Sequence, residues 1–230
     1  MDINIIYEDA HLIVASKAPK IPSQPDKTGD KDMLSYLKDY LKEKYPSARS
    51  PYIGLVHRLD RPVGGLMVFA KTKLANAKLS EQIQNKQFKK EYLAVVCGKP
   101  IKPQGELVDY LLKNQKSNLS KVVPKGTRGA KEAILEYECI ESIKIEDEGI
   151  LSLLKIILKT GRHHQIRVQL SFGDMPIWGD NKYNPEFIKR KHWTQIALWA
   201  YSLSFFHPKT NKLCTYEEKP NQYPFNQFNI

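Results

Sequence analysis

The sequence has few cysteines and lacks the common motifs that bind nucleotides or metals. Its three cysteines, Cys97, Cys139 and Cys214, lie far apart and form no CxxC pair. The simplest interpretation is that these cysteines are buried thiols of a protein in the reducing cytoplasm. No GxxxxGK[ST] loop and no GxGxxG fingerprint occurs, and His163 and His164 are adjacent rather than four residues apart. We therefore expect no nucleotide cofactor and no metal.

Long hydrophobic segments are also absent. No apolar run approaches the roughly 20 residues that a spanning helix needs, and no basic amphipathic helix stands out, so we expect no membrane role. The opening MDINIIYEDA lacks the basic and hydrophobic regions of a secretory signal. No linker rich in glycine or serine divides the chain, which predicts a single domain over residues 1–230. We expect a cytoplasmic protein and take a monomer as the default.

The chain does carry a large excess of positive charge. Its 36 lysines and arginines outnumber 25 acidic residues and give a formal net charge of +11, which is expected of a protein that meets a polyanion. Residues 113–128, KNQKSNLSKVVPKGTR, are basic and polar. They predict a loop or hairpin in which Lys121 and Lys125 contact phosphates of a polyanion. A solvated face without such contacts is an equally good interpretation of this segment.

Hydrophobic patterning predicts an α+β fold with a mixed, mainly antiparallel central sheet and flanking helices. Residues 3–7 and 12–16 are expected to form a strand pair joined by turn-forming acidic residues. Helical spacing predicts helices at residues 32–45 and 72–87, the second with Thr72 as its N-cap. Further strands are expected at residues 90–97, 133–143, 150–158 and 195–206, with a short helix at 164–172. Long strands with few helices between them favour α+β over a doubly wound fold.

The segment YIGLVHRLDRPVGGLMVFAKT, residues 52–72, places the carboxylate of Asp60 between Arg58 and Arg61 in a turn. Nearby positive charges favour an ionised carboxylate, and such a group can attack carbon. The apolar runs on either side predict short buried strands that present the turn on a rigid scaffold. On residue types alone, a surface turn in which Asp60 pairs with a neighbouring arginine is the somewhat better interpretation.

The HRLD string and the strand after it resemble the active-site signature of the RluA-type RNA pseudouridine synthases. The family pattern HRLDxxTSG reads HRLDRPVGG here, so Val63 and Gly64 stand where threonine and serine are usual. FKKEYLAVVCGKP, residues 88–100, is similar to the family's KxYxAxVxG strand. These matches follow one another in the family's order.

Two later segments extend the resemblance over most of the chain. LKTGRHHQIRVQLSFGDMPIWGDNKY, residues 158–183, is similar to LxTGRxHQIRxH followed by GxPIxGDxxY, with Gln169 in place of a frequent histidine. LWAYSLSFFHP, residues 198–208, is similar to the closing strand, with Trp199 in place of histidine. The resemblance implies the pseudouridine synthase catalytic fold and a substrate in ribosomal or transfer RNA.

The resemblance also implies roles for individual residues. Asp60 is the expected nucleophile, Tyr92 is expected to lie against the uracil, and Arg167 is expected to pair with the catalytic aspartate, with Arg162 as the fallback. Considered alone, a strand tyrosine is most often part of a core, and either arginine is equally a solvated or phosphate-facing side chain. Uridine and pseudouridine contain the same atoms, so the reaction implied needs no cofactor or metal.

The remaining site residues are expected to bind RNA. A target base must leave its stack, and Arg58 corresponds to the family arginine that fills the vacated space, although a simple phosphate contact is the alternative. His57 is expected to shape the loop beside the RNA, while Arg61 and Arg162 are expected to contact it.

Two other functions are compatible with these residues. The altered turn at Val63 and Gly64 favours a catalytically silent RNA-binding protein or RNA chaperone with the same fold, whereas the retained Asp60 and Tyr92 argue against it. A hydrolase that uses Asp60 on a glycosidic bond would need a second carboxylate as general acid. Asp180 is the nearest candidate, but it resembles a structural aspartate of the family.

Overall fold

The computed structural model describes residues 3–47, 51–190 and 192–230. It confirms the α+β fold with mainly antiparallel strands. The chain divides into two compact units, the first of Met1–Lys90 and Ala200–Glu218, the second of Glu91–Trp199 and Lys219–Ile230. That the whole chain works as one catalytic domain stays a prediction.

The secondary structure follows the predicted order. In chain order the elements are β1 (Asn4–Glu8), β2 (Leu12–Lys17), α1 (Met33–Lys44), β3 (Gly54–Leu55), β4 (Gly64–Ala70), α2 (Lys73–Gln84), β5 (Lys89–Cys97), β6 (Gln104–Asn114), β7 (Leu119–Val123), β8 (Lys131–Ile145), β9 (Gly149–Leu158), α3 (Gln165–Phe172), α4 (Pro185–Lys189), β10 (Leu198–Phe206), β11 (Leu213–Glu217) and a 3-10 helix (Phe225–Gln227).

In the first unit, β4 is the central strand. It pairs antiparallel with β2 and with β3, and β10 follows it in the strand order β1–β2–β4–β10. Every residue of β4 is buried. Leu66 and Val68 from this strand pack in one apolar cluster with Leu12, Leu79 and Phe205. Burial on both faces gives the turn that precedes β4 a rigid support.

Both long helices of the first unit begin at side-chain caps. The Asp32 carboxylate accepts hydrogen bonds from the backbone N–H groups of Leu34 and Ser35, at 2.9 and 3.3 Å. The Thr72 hydroxyl accepts one from Ala75 at 3.1 Å, which confirms the predicted N-cap of α2. These bonds satisfy backbone donors that a helix start leaves without an intrahelical partner.

Gly65 lies where β4 closely approaches Ala200 of β10. Its φ is +113°, and a Cβ added to it would lie 2.4 Å from the carbonyl oxygen of Ala200. The left-handed backbone and this close approach both require glycine. Gly65 occupies the position of the last glycine in the family's HRLDxxTSG pattern.

We expect Gly65→Ala to lower the free energy of unfolding by about 3 kcal/mol or more. A positive φ costs a residue with a Cβ roughly 1–2 kcal/mol, and the collision with Ala200 adds about 1–3 kcal/mol. Gly126→Ala is the matched control, because Gly126 has φ +88° but no atom within 4 Å of an added Cβ. Urea unfolding followed by circular dichroism measures the free energy of unfolding of both variants. Equal losses of unfolding free energy in the two variants would show that the close contact with Ala200 does not contribute to the effect of Gly65→Ala.

The second unit contains an antiparallel sheet in the order β5–β9–β8–β6–β7. Helix α3 packs on this sheet through Val168, which contacts Leu111 and Ala133. Gln169 lies on the same helix and is fully buried. Its amide nitrogen donates to the Leu107 and Ala133 carbonyl oxygens, at 3.2 Å each, and to the Asp109 carboxylate at 2.8 Å. The glutamine that replaces the family's frequent histidine therefore ties α3 to two strands.

The strand and helix predictions are confirmed within a few residues at their ends. Residues 113–128 form a hairpin of β6 and β7 and the turn that follows it. Strand β6 was not predicted, because most of its residues are exposed or half-buried and it carries no continuous apolar run. The short helix α4 and strand β11 were also missed.

Candidate active site

The backbone of the turn that carries Asp60 is anchored on both sides of that residue. The Leu59 N–H donates to the Ser23 hydroxyl oxygen at 3.1 Å, and that hydroxyl donates to the Leu59 carbonyl at 2.8 Å. After the aspartate, the Arg61 carbonyl accepts from the Lys20 N–H at 2.9 Å. The Val63 N–H closes the turn by donating to the Asp60 carbonyl at 3.0 Å. The position of the aspartate is thus fixed by bonds that do not involve its own side chain.

The turn forms without the hydroxyl groups that the family usually carries at positions 63 and 64. Val63 is 3% exposed and packs as an apolar residue. The bonds from Ser23 and Lys20 hold the chain just before it, at Leu59 and Arg61. The departure from the family pattern is therefore compatible with an ordered turn.

Lys17 is a further support of the turn, and the sequence analysis did not single it out. Its side chain is fully buried at the end of β2. The ammonium donates to the carbonyls of Ala18 at 3.2 Å, Ile21 at 2.8 Å and Arg61 at 3.0 Å. Burial lowers the pKa of Lys17 to about 7, while the negative charge of Asp60 opposes this shift and the positive charge of Arg61 adds to it. The sequence feature that could have identified Lys17 is its position directly after the apolar run LIVAS.

Arg61 pairs with the loop that precedes α1. Its guanidinium forms ion pairs with Asp30 and, at 3.4 Å, with Asp26, and it donates to the Thr28 hydroxyl at 2.8 Å. The hydrogen bond and charge of Asp30 raise the pKa of Arg61. Within the described part of the chain, Arg61 makes no ion pair with Asp60, so the pairing suggested by adjacency is not formed. Its contact with RNA stays a prediction.

His57 faces the interior of the first unit, whereas Arg58 faces outward. The His57 Nε2 atom accepts from the Val68 N–H at 3.2 Å, and its ring lies 5.6 Å from that of Phe88. Burial, with a contribution from the charge of Lys90, lowers the pKa of His57 to about 3. A neutral, inward-facing imidazole suits the expected role in shaping the loop. Arg58 is exposed, as a residue that contacts RNA must be.

In the second unit, Tyr92 and Arg167 are both buried. Tyr92 lies in β5 opposite Ile156 of β9. The Arg167 guanidinium binds both carboxylate oxygens of Asp180, from Nε at 2.8 Å and from an Nη at 2.7 Å. The two side chains are 2% and 1% exposed. The catalytic roles of Tyr92 and Arg167 stay predictions.

Asp180 has the features of a structural residue. Besides Arg167, it accepts from the backbone N–H groups of Lys182 at 2.9 Å and Tyr183 at 3.3 Å. A buried carboxylate with both oxygens engaged is poorly placed to donate a proton to a leaving group. This contact pattern weakens the hydrolase interpretation.

The adjacent histidines of the GRHHQIR segment join α3 to the β6–β7 hairpin. Their rings stack at 3.8 Å. His163 Nδ1 lies 2.9 Å from the Ser120 hydroxyl, and His164 Nδ1 lies 2.8 Å from the Tyr183 hydroxyl. Burial, followed by the charge of Arg167, lowers the pKa of His164 to about 2. Both rings therefore have partners within the second unit.

Arg162 is exposed and is held against the sheet. Its Nε donates to the Glu132 carbonyl at 2.8 Å, and its backbone N–H donates to the Gln165 side chain at 2.9 Å. Lys121 and Lys125 are exposed on the hairpin and its following turn, and the Lys125 ammonium lies 5.9 Å from the centre of the Tyr110 ring. All three cations are accessible to a polyanion, and their RNA contacts stay predictions.

Two features are absent from residues 3–47, 51–190 and 192–230. No group of three or more His, Cys, Asp or Glu residues there has the arrangement of a metal site. None of the helices in these ranges is long and apolar enough to cross a membrane.

Comparison with known proteins identifies the chain. It is 34% identical over 179 residues to a ribosomal large subunit pseudouridine synthase C of Rickettsia bellii, which covers 78% of the chain and 56% of that relative. It is 32% identical over 222 residues to a ribosomal large subunit pseudouridine synthase D of Buchnera aphidicola, which covers 92% of the chain and 67% of that relative. The chain thus spans 56% and 67% of the length of these curated relatives.

The fold and a family profile agree with these relatives. The structure of human RNA pseudouridylate synthase domain containing 4 superposes with a TM-score of 0.76 at 23% identity, covering 94% of this chain and 88% of the human chain. A profile described as RNA pseudouridylate synthase matches residues 11–172. This match includes the anchored turn, Tyr92 and Arg167, and it confirms the resemblance found in the sequence. The chain belongs to the RNA pseudouridylate synthase family.

Proposed function

We propose that the protein is a cytoplasmic RNA pseudouridine synthase that isomerises specific uridines in ribosomal or transfer RNA, with Asp60 as its nucleophile. The observation that carries this proposal is the position of Asp60. It lies inside the matched region 11–172, in a turn whose backbone is anchored at Leu59 and Arg61. A nucleophile must be held in a fixed position relative to the atom that it attacks, and the anchored backbone provides such a fixed position.

The reaction rearranges bonds without a net gain or loss of atoms. The Asp60 carboxylate attacks carbon, either at C1′ of the ribose or at C6 of the uracil, and the N1–C1′ bond breaks. After the base rotates, a C5–C1′ bond forms and the bond to Asp60 is released. The C5 proton leaves and N1 gains one. In this scheme Tyr92 stacks against the uracil, and Arg167 orients the catalytic carboxylate.

RNA binding is assigned to the exposed cations. Arg58 is exposed two residues before the nucleophile, where a planar guanidinium can stack in the space that a flipped uridine leaves. The β6–β7 hairpin and the turn after it present Lys121 and Lys125 to solvent. These lysines supply affinity and take no part in the bond changes.

Replacement of Lys121 and Lys125 by alanine should weaken RNA binding and reduce its salt dependence. Loss of two phosphate contacts should lower the slope of log K against log[salt] by about 1.4. The single-turnover rate of bound RNA should stay within about twofold of wild type, because neither lysine contacts the reacting atoms. Lys38 and Lys42 are exposed on α1, and their double alanine variant is the control. A collapse of the bound rate would show that the hairpin positions the substrate.

The test of the proposed function is pseudouridine mapping of total RNA from cells that lack this protein. We expect at least one site to vanish in these cells and to return with the wild-type chain. A site in ribosomal or transfer RNA would identify the substrate class. Unchanged maps would favour the alternative function, a silent RNA-binding protein or chaperone.

A further inference from the structure

Tyr183 is the last residue of the segment that matches GxPIxGDxxY, and the proposed reaction gives it no role. Its backbone N–H donates to the Asp180 carboxylate at 3.3 Å, and its carbonyl accepts from the Ser171 hydroxyl at 2.6 Å. The half-buried ring packs against the apolar cluster of Leu111 and Val168. The backbone and the ring of Tyr183 are therefore both held in place within the second unit.

The ring of Tyr183 lies against the guanidinium of Arg167. The guanidinium carbon is 5.2 Å from the centre of the ring. The same guanidinium binds both carboxylate oxygens of Asp180. A guanidinium over an aromatic face is attracted to it, and most strongly where water is excluded. Since Arg167 is 2% exposed, we infer that Asp180 at its edge and Tyr183 at its face together fix its position.

The hydroxyl of Tyr183 reaches the β6–β7 hairpin. It accepts a hydrogen bond from the Ser120 N–H at 2.8 Å, and it lies 2.8 Å from His164 Nδ1. Ser120 directly precedes Lys121 in β7, which is the last strand in the order of its sheet. A backbone donor in a buried position needs an acceptor, and for Ser120 that acceptor is the tyrosine hydroxyl. One side chain thus contacts both Arg167 and the strand that carries Lys121.

We propose that Tyr183 is a positioning residue that holds Arg167 with its ring and the β6–β7 hairpin with its hydroxyl. The proposal rests on the proposed function, in which Arg167 orients the Asp60 carboxylate and Lys121 binds RNA. A tyrosine suits this task because its ring is rigid and only two side-chain torsions place it. RNA bound by the hairpin is then held at a fixed distance from Arg167, and such placement contributes strongly to rate.

Tyr183→Phe tests the hydroxyl, because it removes the bond to Ser120 and keeps the ring over Arg167. Affinity for unmodified transcripts of ribosomal and transfer RNA should fall by about 2- to 10-fold, since the hairpin loses one hydrogen bond that orders it. The maximal single-turnover rate should stay close to that of wild type. Tyr201→Phe is the matched control, because it removes a hydroxyl that donates to Glu217 at 3.0 Å in the first unit. It should change neither quantity.

Tyr183→Leu tests the ring. The maximal single-turnover rate should fall by about 10-fold or more, because Arg167 loses the surface that holds its face. Arg167→Lys keeps the positive charge but lacks the planar guanidinium. If Tyr183 acts through Arg167, Tyr183→Leu should lower the rate much less in the Arg167→Lys protein than in wild type.

The outcomes separate this role from a purely structural one. Wild-type RNA affinity in Tyr183→Phe would overturn the proposal, and it decides even when Tyr183→Leu does not fold. Equal rate losses from Tyr183→Leu with and without Arg167 would also overturn it. A lower melting temperature with unchanged affinity and rate would assign Tyr183 to the fold alone. The binding measurement needs no turnover, so failure of the wild-type protein to form pseudouridine would refute the proposed function separately.

Discussion

The purified Asp60→Asn variant should form no detectable pseudouridine while it still binds RNA. An amide is nearly isosteric with the carboxylate but is a very poor nucleophile, so we expect the single-turnover rate to fall by at least about 10⁴-fold. The turn should survive, because its anchoring bonds involve the backbone of Leu59, Arg61 and Val63 and not the Asp60 side chain. The measurement uses unmodified transcripts that contain the mapped uridine, with binding followed by filter retention.

The matched control is the same substitution at an exposed aspartate. Asp39 lies on α1 and pairs only with Lys31 at the surface among its described contacts, so Asp39→Asn should retain wild-type activity. RNA affinity of Asp60→Asn should stay within about threefold of wild type. Appreciable turnover by Asp60→Asn would remove Asp60 from the nucleophile role and leave the family assignment intact.

Asp180→Ala should strongly destabilise the protein. The substitution leaves the Arg167 guanidinium buried without its bidentate partner. Removing one member of a buried ion pair costs about 3–5 kcal/mol, because both hydrogen bonds and the charge attraction between the two groups are lost. Chemical denaturation monitored by tryptophan fluorescence gives the change in the free energy of unfolding.

An exposed ion pair of the same unit provides the comparison. Glu136 and Lys159 lie 2.9 Å apart, and each side chain is 42% exposed. Glu136→Ala should cost less than about 1 kcal/mol, since water compensates the remaining lysine. The Arg167→Met and Asp180→Leu double variant should recover part of the loss. Similar costs for Asp180→Ala and Glu136→Ala would mean that the Arg167 pair has no structural importance.

The sequence predicted the features that depend on local patterns. Thr72 caps α2 because a hydroxyl at a helix start has one favourable partner, the N–H three residues later. Two apolar runs joined by a short acidic turn predicted the antiparallel pairing of β1 with β2. The family motifs located Asp60, Tyr92 and Arg167, whose catalytic roles remain to be tested.

Features that depend on distant segments could not be predicted. Adjacency suggested that a neighbouring arginine would pair with Asp60, but the loop at residues 26–30 brings two other carboxylates to the Arg61 guanidinium. The support from Lys17 was missed because its three carbonyl partners include one from the turn that carries Asp60, 44 positions away. The role of Gln169 in joining α3 to the sheet could not be predicted either, because the carbonyl oxygens to which its amide donates lie on two other strands.

The close approach of Gly65 to Ala200 has a consequence for synthesis on the ribosome. The first unit is discontinuous, and its second segment, Ala200–Glu218, emerges long after the HRLD string has been translated. Until β10 is available, β4 lacks one of its neighbours. A nascent chain that stops before residue 200 would carry Asp60 on an unfinished sheet. Premature termination products should therefore be inactive even when they contain every residue of the catalytic motif.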